Sequence, residues 1–159
     1  MIPKSFSFII FGASGDLTKR KLFPALFDLF SEKRLPEKFE IVGIGRTPYN
    51  DSEYRNYLLG QLPKYIKPEA WDNELNCFIS HIRYETMDPA KEEGFSVLAE
   101  HLKNSNSESI IYYLATPPLL YGVIPQHLKT FGLNGENTRI IVEKPFGYDL
   151  TSAKRLNEI

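Results

Sequence analysis

Strand-like and helix-like stretches take turns along this chain, and that alternation limits the possible fold more than any other feature. Residues 5–11 (SFSFIIF) are apolar, rich in aromatic and β-branched side chains, and closed by glycine, which predicts a buried strand. Residues 39–45 (FEIVGIG), 109–115 (SIIYYLA) and 138–143 (TRIIVE) read the same way, and a weaker alternation predicts a strand over 75–84. After the turn at 12–15, Leu17, Leu22, Leu26, Leu29 and Phe30 recur at helical spacing, with Pro24 expected to kink or restart the helix. A helix over 51–65 would be capped by Asp51 or Ser52, with Tyr54, Tyr57, Leu58 and Leu62 apolar. Further helices are expected over 89–103, with Pro89 in the first turn, over 119–131, and from about Asp149.

Five such alternations, without repeats or an internal linker, predict an α/β fold. The expected form is a doubly wound, mostly parallel sheet of Rossmann-like type with helices on both faces. Ligands then sit beyond the carboxyl ends of the strands, here the loops 12–16, 45–47, 84–88, 116–118 and 143–147. Gly12-Ala13-Ser14-Gly15 joins the first strand to the first helix, where glycine permits close approach and free helix N–H groups suit a pyrophosphate. The pattern is Gly-x-x-Gly, not the full dinucleotide fingerprint, and a plain glycine turn is its competing reading. No Gly-Lys-Ser/Thr follows, which excludes a Walker-type loop. The second strand ends in Gly45-Arg46-Thr47 with no acidic residue. An acid there would favour NAD, whereas Arg46 can fork onto a 2′-phosphate and favours NADP.

Composition narrows the partners. The chain has 159 residues, and 19 Lys+Arg against 20 Asp+Glu give a formal charge of -1. That balance argues against a nucleic-acid binder held by counterion release, and leaves room for a local anion site. Cys77 stands alone, so no internal disulfide forms and a reducing, cytoplasmic setting is expected. No apolar run approaches the roughly 20 residues of a membrane span, and the first residues lack a signal layout. No metal site is expected.

Three segments carry a family resemblance: Gly12-Ala13-Ser14-Gly15-Asp16-Leu17-Thr18-Lys19-Arg20-Lys21-Leu22-Phe23-Pro24-Ala25-Leu26, Tyr113-Leu114-Ala115-Thr116-Pro117-Pro118, and Arg139-Ile140-Ile141-Val142-Glu143-Lys144-Pro145-Phe146-Gly147. Together they resemble the N-terminal coenzyme domain of the glucose-6-phosphate dehydrogenase family, across nearly the whole chain. The chain departs from the family at Thr18, where alanine is usual, and at Thr116, where leucine is common. The resemblance implies that residues 1–159 form one NADP-binding domain. Gly12, Ala13, Ser14, Gly15, Asp16, Leu17, Thr18 and Lys19 would cradle the pyrophosphate, and Arg46 would hold the 2′-phosphate. Tyr121 would touch the coenzyme, against a competing role in helix packing. Met87 and Asp88 would border the adenine. Lys144 would contact coenzyme and sugar phosphate, and Lys21 would lie near the substrate, against a solvated-helix reading. The Lys144–Pro145 peptide is a candidate for cis–trans change.

The family's catalytic base is a histidine in a segment expected beyond Ile159, so no catalytic residue is assigned in this chain. His81, His101 and His127 are expected to be structural or solvent-facing. The substrate and dimerisation domain is expected to be absent as well. The implied activity is oxidation of glucose 6-phosphate by NADP, the first step of the pentose phosphate pathway, by a homodimer or tetramer. The chain alone would bind NADP without turnover. A stand-alone NADP sensor is the alternative. A short-chain reductase is disfavoured because no tyrosine is followed four residues later by lysine.

Overall fold

A computed structural model of the chain describes residues 3–67, 73–144 and 150–158. β1 (Ser5–Phe11) lies at the centre of a five-stranded parallel sheet, between β2 (Lys38–Gly45) and β4 (Ser109–Leu114). β3 (Ile82–Thr86) and β5 (Thr138–Val142) form the edges, in the order β3-β2-β1-β4-β5. The chain thus winds outward from β1 to β3, returns across the sheet to β4, and winds outward again. This reversal opens a crevice between β1 and β4 at their carboxyl ends, as expected for a doubly wound sheet.

β1 is apolar apart from Ser5 and Ser7, because helices cover it on both faces. Phe6, Phe8 and Ile10 pack with α1 (Phe23–Ser31), α2 (Asp51–Gln61) and α3 (Asn73–Ser80). Ile9 and Phe11 pack on the other face with α4 (Phe95–Ser105) and α5 (Val123–Thr130). α6 (Leu150–Glu158) follows β5 in the chain.

The expected break at Pro24 is present. Residues Thr18–Leu22 form one π turn, in which the Phe23 N–H donates to the Thr18 carbonyl, and α1 restarts at Phe23. Pro24 has no N–H to continue an α ladder through this point.

Other expectations need correction. The strand expected over 75–84 is helix up to Ser80, and β3 begins only at Ile82. Leu75, Phe78 and Ile79 are all buried at helical spacing, so the weak alternation read across a helix–turn–strand junction. His81 lies in that turn, not on a strand. The helix expected from Pro89 starts at Phe95, because residues 88–94 turn instead. Asp88 Oδ1 accepts the Ala90 N–H at 3.0 Å, and Gly94 has a φ of 97°. The cap of α2 is Asn50, not Asp51 or Ser52. Its Oδ1 accepts the Glu53 N–H while Glu53 Oε2 accepts the Asn50 N–H, both at 2.9 Å, which makes a capping box. Asp51 is thereby free to accept the Tyr84 N–H at 2.8 Å. The helix expected over 119–131 is divided into a 3-10 turn, Pro118–Leu120, and α5.

Candidate functional site

Four of the five strand-end loops meet in one groove of about 750 Å³, lined from segments 12–15, 45–48, 88–90 and 115–120. Its floor depends on Gly12. The φ of Gly12 is 93°, and a Cβ there would stand 2.1 Å from the Ala115 carbonyl oxygen. Only glycine lets the ends of β1 and β4 close on each other this way.

The glycine loop is fastened from behind. The N–H groups of Gly12 and Ala13 both donate to the Ile44 carbonyl at 2.9 Å. The Tyr54 hydroxyl donates to the Ala13 carbonyl at 2.7 Å, and burial pushes that phenol's pKa well up, so it stays a neutral donor. The Thr18 side chain is fully buried and its hydroxyl donates to the Gly12 carbonyl at 2.9 Å. Threonine at this position therefore adds a bond that alanine lacks. Ala13 is buried too, so Ser14 and Gly15 are what the loop presents to the groove beside Gly12. Asp16 is exposed and pairs with Arg20 at 3.0 Å and Lys19 at 3.6 Å, while Leu17 is half-buried and Lys21 exposed.

Across the groove, Arg46 and Thr47 are exposed after β2. The Arg46 guanidinium pairs with no described carboxylate. The backbone beneath it is fixed, since the Thr47 carbonyl accepts the Tyr84 hydroxyl at 2.8 Å and the Tyr49 N–H at 3.0 Å. Asp88 lines the groove after β3, whereas Met87 is 5% exposed and belongs to the core beside Phe95. On the β4 side, Thr116 lines the groove with a buried hydroxyl that has no hydrogen-bond partner among the described residues. Ser31 Oγ, at the end of α1, is a second such hydroxyl, outside the groove.

Tyr121 is 4% exposed and does not line the groove. It lies close to Glu143, and Tyr113 donates to the Glu143 carboxylate at 2.6 Å. Tyr113 thus braces the residue before Lys144, which is exposed at the carboxyl end of β5. Burial and the neighbouring Glu143 carboxylate raise the Tyr113 pKa, keeping it a donor. The Lys144–Pro145 isomer lies outside the described residues.

None of the three histidines lines the groove, although His127 meets the carbonyl of the wall residue Ala90. His81 stacks on Phe39 with ring centroids 4.2 Å apart, His101 meets Glu40 at 2.9 Å, and His127 Nε2 lies 3.3 Å from the Ala90 carbonyl. Among the described residues, no group of three His, Cys, Asp or Glu side chains could hold a metal ion, and no helix is long and apolar enough to cross a membrane.

Reasoning from sequence missed the tyrosines that hold these loops, because Tyr54 read as an apolar helix position and Tyr84 only as the end of a strand. It also missed Pro48, Ala90 and Leu119 on the groove walls, which carry no motif. The assembled site is an elongated groove with a glycine cradle at its centre, a free guanidinium at one end and an unpartnered hydroxyl at the other. That arrangement suits an extended ligand with two separated anionic groups.

A family model described as glucose-6-phosphate dehydrogenase, NAD binding domain, matches residues 9–159. A glucose-6-phosphate 1-dehydrogenase of Aggregatibacter actinomycetemcomitans is 43% identical, over 94% of this chain and 31% of its own length. Its counterpart in Treponema pallidum is 39% identical over the same shares. A solved glucose-6-phosphate dehydrogenase in complex with glucose-6-phosphate superposes with a TM-score of 0.82 at 34% identity, over 96% of this chain and 33% of that one. The chain spans about a third of the length of the curated relatives it matches. The groove's position at the reversal point of the sheet and the match over nearly all of the sequence lead to one assignment: this chain belongs to the family of glucose-6-phosphate dehydrogenase NAD binding domains, which take a nicotinamide coenzyme.

Proposed function

We propose that this chain is the NADP-holding part of a glucose-6-phosphate dehydrogenase. The carrying observation is the free Arg46 guanidinium across one groove from the Gly12–Gly15 cradle, at a strand end without a carboxylate. Arginine there matches a 2′-phosphate by a forked, charge-assisted contact that a ribose hydroxyl does not offer. Thr47 adds a hydroxyl donor beside it. Gly12, Ser14 and Gly15 take the pyrophosphate. Ala13 and Thr18 shape that loop from behind, while Asp16, Leu17 and Lys19 form its outer end. Asp88, Pro89 and Ala90 wall the adenine side, with Met87 packed beneath them.

The bound dinucleotide supplies the hydride acceptor for oxidising C1 of glucose 6-phosphate. The chain's own part is to bind and orient. Lys144, which follows the Glu143 that Tyr113 braces, offers a positive charge to coenzyme and sugar phosphate. Lys21 offers another near the substrate. A general base and sugar pocket belong to a further domain of the kind that makes up the rest of the relatives' length, as does the homodimer or tetramer contact. The 159 residues form one coenzyme domain that binds NADP+ without turning over substrate. A cytoplasmic setting agrees with the lone, exposed Cys77.

Calorimetric titration with NADP+ tests this reading. Wild-type chain binds, and Arg46→Ala weakens NADP+ by roughly 10- to 100-fold, the worth of a hydrogen-bonded charge contact of about 1.5–3 kcal/mol. Unchanged affinity in Arg46→Ala would overturn the 2′-phosphate assignment. Turnover of glucose 6-phosphate by the pure chain would overturn the claim that it only binds.

A further inference from the structure

The two groove loops assigned to phosphates are joined, behind the groove, by tyrosine side chains. The Tyr84 ring is buried on β3, and its hydroxyl donates to the Thr47 carbonyl at 2.8 Å, directly after Arg46 in the chain. The Ser14 side chain of the glycine loop lies beside the same phenol, close enough to ease the rise in its pKa. A Cβ on Gly45 would stand 2.6 Å from the Tyr84 hydroxyl and 3.2 Å from Ser14 Oγ, so both oxygens gather over that glycine. Tyr54 packs against the Tyr84 ring with centroids 4.4 Å apart, and its own hydroxyl holds the Ala13 carbonyl at 2.7 Å. Thr86 Oγ1 also reaches the Thr47 carbonyl, but at 3.4 Å, so the phenol makes the shorter contact.

We infer that Tyr84 is a positioning residue for coenzyme selectivity: its hydroxyl fixes the spacing between the Ser14 loop and the Arg46–Thr47 loop, so that one ligand reaches both. The inference rests on the reading of Arg46 as the 2′-phosphate contact. A ligand with a 2′-phosphate needs that spacing, because it must engage the glycine cradle and the guanidinium at once. A ligand without one is held by the cradle alone and is indifferent to it. Burial, with Tyr49 nearby adding to it and Ser14 easing it, pushes the Tyr84 pKa up to about 12, so the phenol donates throughout the neutral range.

The test is a double-mutant cycle with NADP+ and NAD+ on the wild type, Tyr84→Phe, Arg46→Ala and the double variant. Tyr84→Phe keeps the buried ring and deletes only the hydroxyl. NADP+ affinity should fall about three- to tenfold, the range expected for one neutral hydrogen bond, while NAD+ affinity changes less than about twofold. In the Arg46→Ala background, Tyr84→Phe should change NADP+ affinity by less than about twofold. Equal losses for both dinucleotides would mark a merely structural role and overturn the proposal. So would a full loss persisting in the Arg46→Ala background. A silent Tyr84→Phe beside an effective Arg46→Ala overturns this proposal alone. A silent Arg46→Ala overturns the 2′-phosphate reading, and the positioning role falls with it.

Discussion

The two ends of the sheet are both polar, yet they are built on opposite terms. Toward the amino ends of β1 and β2, Ser7 is fully buried, and its hydroxyl donates to Glu40 at 2.6 Å and shares a bond with Ser107 at 2.7 Å. Glu40 in turn meets His101 at 2.9 Å, and Ser105 bonds the Leu102 carbonyl at 2.9 Å. Each of these groups has a partner within the chain. At the carboxyl ends, hydrogen bonds from Tyr54, Thr18 and Tyr84 fasten the loops from behind, while among the described residues Arg46 meets no carboxylate and the Thr116 hydroxyl has no partner. The contrast separates two uses of polarity. A cluster that satisfies itself holds the fold, and a cluster satisfied only on its inner side holds the fold and leaves its outer side for a ligand.

The largest expected effect comes from closing the groove. Gly12→Ala forces a Cβ against the Ala115 carbonyl at positive φ, so unfolding free energy should fall by about 2–5 kcal/mol in urea titration and NADP+ binding should vanish. Wild-type stability and affinity in the Gly12→Ala variant would mean that the two strand ends do not meet here.

Glu40→Gln should act the opposite way at the other end, costing about 1–3 kcal/mol of stability while leaving NADP+ affinity within about twofold. Burial works to raise the Glu40 pKa, but hydrogen bonds from His101 and Ser7 outweigh it and hold the carboxyl below its ordinary value. A carboxyl depressed in the folded state contributes stability above its unfolded pKa and loses it as the pH falls through the folded value. Urea midpoints between about pH 6 and pH 3 should therefore drop less steeply in the variant. An unaltered acid limb would break the assignment of this cluster to stability.

Thr116→Val is the smallest and sharpest comparison. Deleting an unpartnered buried hydroxyl should raise stability by about 0.5–1 kcal/mol, and weaken NADP+ by a few-fold if the bound coenzyme supplies the missing partner. Higher stability with unchanged affinity would place Thr116 with the fold instead of with the site.

Much of this was legible in the residues. Strands such as residues 5–11 and 109–115 declare themselves as short runs dense in aromatic and β-branched side chains, the residues that a buried or half-buried sheet face favours. The glycine loop and Arg46 sit where strand ends must fall. What stayed hidden depends on contacts between distant segments. Leu75, Phe78 and Ile79 could serve a helix or a strand until α3 packs them against α1 and α2. The role of Tyr84 requires knowing that β3 lies beside β2, which brings its hydroxyl to the Thr47 carbonyl 37 residues away in sequence. Asn50 displaces Asp51 as cap because Glu53 completes its box, a choice that the residues Asn50, Asp51 and Ser52 alone leave open.

Titration of the isotopically labelled chain with NADP+, followed by amide chemical shifts, tests the division between the two ends most directly. Shifts should concentrate at Gly12, Ser14, Gly15, Arg46, Thr47 and Thr116, and leave Ser7, Glu40, His101 and Ser107 unmoved. Shifts centred on the Ser7–Glu40–His101 end, or none at saturating NADP+, would contradict it.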